Sequence, residues 1–265
     1  MKILYFGDTK NKKIVLVHGF QAPYHMWKEY IDYFKEKYCV IVPILPGHYK
    51  GSENFINFEI AVSDFEKEYI KKFGKDIYAV YAISMGGIFA TKLFSRRNLN
   101  IQKFILESVP LLRFGKIIAF FAKKQYITIS RKICERKSKY FYKLKNAIKN
   151  KSLFNEFLNV LDNMSETSIK NYIDDMLNYK FPKDIYCKDL EIYYYYGGDK
   201  EEIPFKISAM YLKKYYPQTK TFCIEGKKHC EGVISEPYEK IKLLESILNN
   251  WVRKILTLLL YCKFT

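Results

Sequence analysis

The sequence predicts an α/β fold: a mostly parallel sheet flanked by helices and interrupted by a helical insertion. Three observations carry this. Short, continuous apolar runs recur along the chain, each bounded by turn residues, as strands buried on both faces do. Between them lie stretches of roughly 10–15 residues with helical spacing, which implies βαβ units. Between Pro110 and Pro182 this alternation stops, and it then resumes.

The elements follow in order. Residues 13–18 form the first apolar run, and residues 22–37 carry Met26, Trp27, Tyr30, Ile31 and Phe34 near helical spacing. Residues 38–45 are a second strand, ended by Pro46-Gly47. Residues 58–73 read as a helix with Ile60, Phe65, Tyr69 and Ile70 on overlapping faces. A third strand, 76–83, runs into Ser84-Met85-Gly86-Gly87 and a helix to about Arg96. Strands are expected at 101–109, 190–196 and 219–224, six in all, with helices at 204–215 and 237–259. The intervening stretch reads as helices at 117–122, 138–149, 153–161 and 168–179. This divides the chain into a core of residues 1–110 and 183–265, and a helical cap of residues 111–182.

Composition narrows the class. Apolar residues are 49% and aromatics 17% of 265 residues, which excludes a disordered chain. The six cysteines (39, 134, 187, 223, 230, 262) form no CxxC pair and match no zinc-ligand spacing, so free buried thiols are expected. Only Ile3, Leu4, Tyr5 and Phe6 form an apolar run near the start, short of a signal peptide. A soluble cytoplasmic protein is therefore expected. The net charge of +17 is uneven: residues 113–151 hold ten Lys and three Arg against the single acid Glu135. Such a block attracts anionic substrates, anionic lipid or nucleic acid. It is equally what a lysine-rich composition produces on any surface.

Four motifs carry chemistry. In Ala82-Ile83-Ser84-Met85-Gly86-Gly87 a strand runs straight into a serine flanked by small residues and then into a helix. The sharp turn lifts a nucleophile out of the sheet, and the helix N-terminus aims amides at it. His18-Gly19-Phe20 ends the first apolar strand. Its turn can bring the Phe20 N–H to face Met85 N–H as an oxyanion hole, with His18, Gly19 and Phe20 lining the substrate site. Tyr196-Gly197-Gly198-Asp199 puts a carboxylate at the ligand-binding edge of the fifth expected strand. Gly226-Lys227-Lys228-His229 follows the sixth, and His229 is the one histidine of four (18, 25, 48, 229) that comes after that acid. Ser84, Asp199 and His229 stand in the chain order nucleophile, acid, base.

With these residues and Leu45-Pro46-Gly47-His48, Gly51-Ser52 and Ile203-Pro204, the chain resembles the α/β-hydrolase-fold serine hydrolases of the capped esterase/lipase type, from about Lys13 to the C-terminal helix. The resemblance implies that Ser84 attacks an acyl carbonyl, His229 is the general base, Asp199 fixes its tautomer, and the Phe20 and Met85 amides hold the oxyanion. Glu107, at the end of the fourth strand, is the alternative position for the acid. Serine at the turn argues against haloalkane dehalogenase chemistry, which uses aspartate there. No metal or organic cofactor is required. The implied partner is a small-molecule ester or thioester. The basic cap adds an anionic substrate or a membrane surface, and nucleic acid is not the expected partner. Two other readings remain open: a C–C hydrolase, lyase or acyl transferase on the same triad, and a non-catalytic protein that binds lipid or nucleic acid through its cap. Phe114, Ile117, Ile118, Phe120 and Phe121 are expected either to cover an acyl chain or to pack the cap onto the core.

Overall fold

A computed structural model describes residues 1–113, 115–187 and 189–250. Seven strands form one sheet: β1 (Lys2–Phe6), β2 (Lys13–Val17), β3 (Cys39–Ile44), β4 (Asp76–Ile83), β5 (Asn100–Glu107), β6 (Glu191–Gly197) and β7 (Lys220–Ile224). Their order is β1-β3-β2-β4-β5-β6-β7. Every pairing is parallel except that of β1 with β3. This is the mostly parallel sheet that the apolar runs predict.

The six expected strands are β2 to β7, and β1 is an addition. Its partly exposed residues and its place at the sheet edge explain why it lacks the continuous apolar signature of β3, which is buried throughout. The helices are α1 (Lys28–Phe34), α2 (Phe58–Phe73), α3 (Met85–Arg96), α4 (Lys116–Cys134), α5 (Lys139–Ala147), α6 (Lys151–Asn163), α7 (Glu166–Asn178), α8 (Ile203–Tyr215) and α9 (Pro237–Leu248). The helix expected over 22–37 is split, its first part being a 3-10 turn at Tyr24–Trp27. Residues 251–265, where the end of the last expected helix and Cys262 fall, lie outside the described residues. The other five cysteines are free.

Side-chain caps fix several helix starts. Asn57 accepts from the Ile60 N–H at α2, Asn150 from Leu153 at α6, and Ser165 from Ser168 at α7. The sheet is covered on both faces. Phe65, Phe89, Leu93 and Leu212 of α2, α3 and α8 pack in one apolar layer, and Tyr30, Ile31, Leu244 and Ile247 of α1 and α9 pack in the other. Helices α4 to α7 connect β5 to β6. The turns that follow β2, β4, β5, β6 and β7 meet at the C-terminal edge of the sheet, where ligands bind in open α/β sheets.

One buried ion pair ties α9 to this edge. Lys240 Nζ donates to Glu107 Oε1 at 2.6 Å, and Tyr81 Oη donates to Glu107 Oε2 at 2.6 Å. Glu107 and Lys240 are 3% and 7% exposed, so neither charge has water as an alternative partner. Removing one partner strands the other in a dry site. Lys240→Ala is expected to lower unfolding free energy by about 3–5 kcal/mol in urea titrations, and Glu107→Gln with Lys240→Met by clearly less. Equal losses would mean that the pair carries no buried charge.

Candidate active site

Ser84 sits between the last residue of β4 and the first of α3 with φ +48°, a left-handed conformation that is strained for a residue with a Cβ. Its N–H donates to the Glu107 carbonyl at 2.9 Å, extending the ladder one residue past β4. The turn closes because Gly86 has no side chain. A Cβ there would lie 2.3 Å from the His18 carbonyl oxygen. The Met85 N–H opens α3 and, like all first-turn amides, has no acceptor within the helix.

Ser84 and His229 meet. His229 Nε2 lies 2.9 Å from Ser84 Oγ, 145 residues away in sequence. On the other side of the ring, Nδ1 lies 3.0 Å from Glu202 Oε1. The sequence assigned the acid to Asp199, but the carboxylate that the structure places beside His229 is that of Glu202. The Asp199 carboxylate instead accepts from the Glu201 N–H at 3.1 Å and caps the 3-10 turn Lys200–Glu202. That turn swings Glu202 back under the sheet edge. There its Oε2 accepts from Ser108 Oγ at 2.6 Å and from the Gly197 N–H at 3.1 Å. The other candidate, Glu107, is taken up by Lys240 and Tyr81. The loop after β6 offers three acids, Asp199, Glu201 and Glu202, and only Glu202 stands directly before the Ile203-Pro204 helix start. That adjacency was the available signal.

Glu202 is 1% exposed. Burial pushes its carboxyl group up, but the hydrogen bonds from His229, Ser108 and Gly197 outweigh this and hold it below the usual range. The His229 side chain is 39% exposed. Burial disfavours its charged form, while Cys230 beside it and the Glu202 carboxylate favour it. The net direction is well above the ordinary histidine value. Such a chain can carry a proton from Ser84 Oγ to His229 Nε2 with the resulting charge balanced by Glu202.

His18, expected to line the substrate site, does not line the cavity beside Ser84. It is fully buried, its Nε2 accepts from the Leu45 N–H at 3.2 Å, and its Nδ1 donates to the Gly19 carbonyl at 2.9 Å. Burial pushes it down to about 4, against the smaller pull of that backbone bond, so it is neutral. His48 lies beside it, its ring tilted by 56° at 4.5 Å between ring centroids, and its Nε2 accepts from the Gln21 N–H at 3.1 Å. Two neutral imidazoles thus hold the ends of the segment His18-Gly19-Phe20-Gln21. Gln21 is itself left-handed, as are Ser84, Ser108 and Cys230. Four strained non-glycine residues converge on one site.

Gly19 and Phe20 line a cavity of about 360 Å³ together with Ser84 and His229. Its walls include Ala22, Met26, Ile83 and Val233 from the core, Tyr126, Ile129 and Ser130 from α4, Phe157 from α6 and Met176 from α7. Among the described residues no Lys, Arg, Asp or Glu lines it. The Gln21 amide Nε2 donates to Ser130 Oγ at 2.9 Å, fastening α4 to the segment after β2. No group of residues able to hold a metal ion occurs among the described residues.

Residues 14–137 match the model of the alpha/beta hydrolase family. Those residues are a little under half of the chain, and the whole described chain has the α/β-hydrolase fold. Solved structures share this hydrolase fold at low identity. An α/β-hydrolase-family protein from Desulfitobacterium hafniense superposes with a TM-score of 0.77 at 15% identity, covering 93% of this chain and 100% of that one. A carboxylesterase from Nitrososphaera gargenis gives 0.71 at 14%, covering 96% and 95%. An epoxide hydrolase from Bacillus megaterium gives 0.68 at 16%, covering 94% and 96%. No curated protein sequence matches the chain.

The ring environments give a direct expectation. A raised pKa means that His229 keeps its second proton to higher pH than a free histidine. In ring ¹H–¹⁵N spectra, His229 is expected to titrate above 6.5 while His18 and His48 stay neutral at that pH. Glu202→Gln is expected to lower the His229 titration, and Asp199→Asn to leave it in place. A His229 that titrates below 6.5 in the wild type would mean that the pair with Glu202 is not formed.

Proposed function

We propose that this α/β-hydrolase cleaves a carboxylic ester or thioester through an acyl-enzyme, with Ser84 as nucleophile, His229 as general base and acid, and Glu202 as the orienting carboxylate. The unbroken line Ser84 Oγ–His229 Nε2, His229 Nδ1–Glu202 Oε1 beside an apolar cavity carries this reading. Ser84 Oγ attacks the acyl carbonyl as its proton passes to His229 Nε2, and Glu202 balances the imidazolium. The Met85 and Phe20 N–H groups receive the developing oxyanion, each such donor contributing about 3–4 kcal/mol to barrier lowering in comparable sites. His229 then protonates the leaving oxygen or sulfur as the tetrahedral intermediate collapses. Water, deprotonated by the same imidazole, releases the acid and restores Ser84.

Helices α4 to α7 act in this reading as a cap over the acyl group. The cavity volume is at the small end for ligand sites, and its walls are apolar with Gln21 and Ser130 as a polar pair. That chemistry favours a neutral acyl chain of modest length over an anionic one, because no cation is there to replace lost hydration.

Treatment with a fluorophosphonate followed by intact-mass measurement tests the nucleophile. One adduct is expected on the wild type and none on Ser84→Ala. With neutral nitrophenyl esters, Glu202→Gln is expected to lower kcat/KM by about 10³–10⁴-fold and Asp199→Asn by less than about tenfold. Comparable losses in the two variants would return the acid role to Asp199. An unlabelled, folded wild type would remove the hydrolase reading.

A further inference from the structure

The structure settles neither expectation for the apolar cluster at the start of the cap. Phe114 and the side chain of Ile118 lie outside the described residues, but Ile117, Phe120 and Phe121 face solvent. They are 76%, 67% and 64% exposed, so they neither cover the cavity nor pack the cap onto the core. At 100° per residue, Ile117, Phe120, Phe121, Lys124, Thr128, Arg131 and Lys132 fall within a sector of about 120° on α4. Tyr126, Ile129 and Ser130 lie on the opposite side and line the cavity. The helix thus has one face turned to the site and another turned outward, with no covering element among the described residues.

The outward face is apolar at its first turns and basic beyond. Lys123, Arg131 and Arg136 pair with Asp174, Glu166 and Asp162. Lys124, Lys132, Lys137, Lys143, Lys145 and Lys149 are exposed and have no carboxylate partner among the described residues. Residues 113–151 carry a net +12. An outward aromatic wedge beside a dense cationic field suits a surface that is anionic outside and hydrocarbon beneath. A nucleic acid would use the lysines but leave Ile117 and two phenylalanines in water. No described helix is long and apolar enough to cross a membrane, so the association this face supports is peripheral.

We propose that the outward face of α4, with Ile117, Phe120 and Phe121 as the inserting residues and the unpaired lysines of α4 and α5 around them, docks on an anionic lipid bilayer surface. The wedge enters the boundary between headgroups and acyl chains, and the lysines face the headgroup charge. Each lysine near such a surface is expected to strengthen binding roughly fivefold. This inference is independent of the hydrolytic reading, since it uses none of the groups at Ser84.

Co-sedimentation of the full chain with vesicles tests it. The wild type is expected to bind vesicles of equal parts phosphatidylcholine and phosphatidylserine, more weakly at high salt, and to bind vesicles of phosphatidylcholine alone at least tenfold less. Phe120→Ser with Phe121→Ser is expected to weaken binding about tenfold or more, and Lys124→Glu with Lys132→Glu by about 25-fold or more with a smaller salt dependence. All substituted side chains are exposed, so unchanged thermal melts accompany these losses. Ser84→Ala is expected to bind as the wild type does. Absence of wild-type binding, equal binding to both vesicle types, or full binding by the phenylalanine variant would overturn the proposal. So would duplex DNA binding that needs the lysines and ignores the phenylalanines, if vesicles are not bound.

Discussion

The close approach of α3 to the end of β2 is the constraint on which the site depends. Gly86 lets the helix start against the His18 carbonyl, where a single added carbon would collide with backbone on both His18 and Val17. Without that contact the chain could not reverse within one residue, and Ser84 would not stand above the sheet in a left-handed turn. The same contact brings the first amides of α3 and the segment after β2 to one place. Strain at Ser84 is thus offset by packing that extends through the buried strands β2, β4 and β5.

A second layer holds the partners of Ser84. Glu202 accepts from three groups, and one of them, Ser108, is itself strained, with its N–H bonded to the Tyr195 carbonyl and its hydroxyl on the carboxylate. The acid is therefore fixed from β5, from the end of β6 and from His229 together. This explains how a glutamate, with one more rotatable bond than aspartate, keeps a single position. On the other side, His18 and His48 act as neutral hydrogen-bonding wedges. Burial lowers their basicity, so they do not compete with His229 for a proton.

Much of this was legible in the sequence, and the failures have physical causes. Strands β2 to β6 announced themselves because a sheet covered on both faces demands continuous apolar runs, and the other edge strand, β7, was readable from its short run at residues 221–224 ahead of the His229 loop. Strand β1 did not, because an edge strand is half wet. The serine turn and His229 were readable because small residues and a scarce titratable side chain leave few alternatives. The acid was not. Asp199 and Glu202 differ by one turn of backbone, and which carboxylate turns inward depends on the 3-10 turn that Asp199 caps. Capping and burial compete for the same acid, and sequence order alone does not say which wins. The helical stretch between Pro110 and Pro182 was readable as helices, while the direction each face points was not. The periodicity of α4 serves a cavity on one side and exposes phenylalanine on the other.

The bond between Gln21 and Ser130 has a mechanical consequence. Four groups in series link the roof to the floor: the hydroxyl of Ser130, the carboxamide and then the main-chain N–H of Gln21, and the ring nitrogen of His48. Displacing α4 breaks this series at its first joint and frees a left-handed residue that has little intrinsic reason to stay left-handed. Roof and floor are thus joined through one hydrogen-bonded series that ends in the segment next to Ser84.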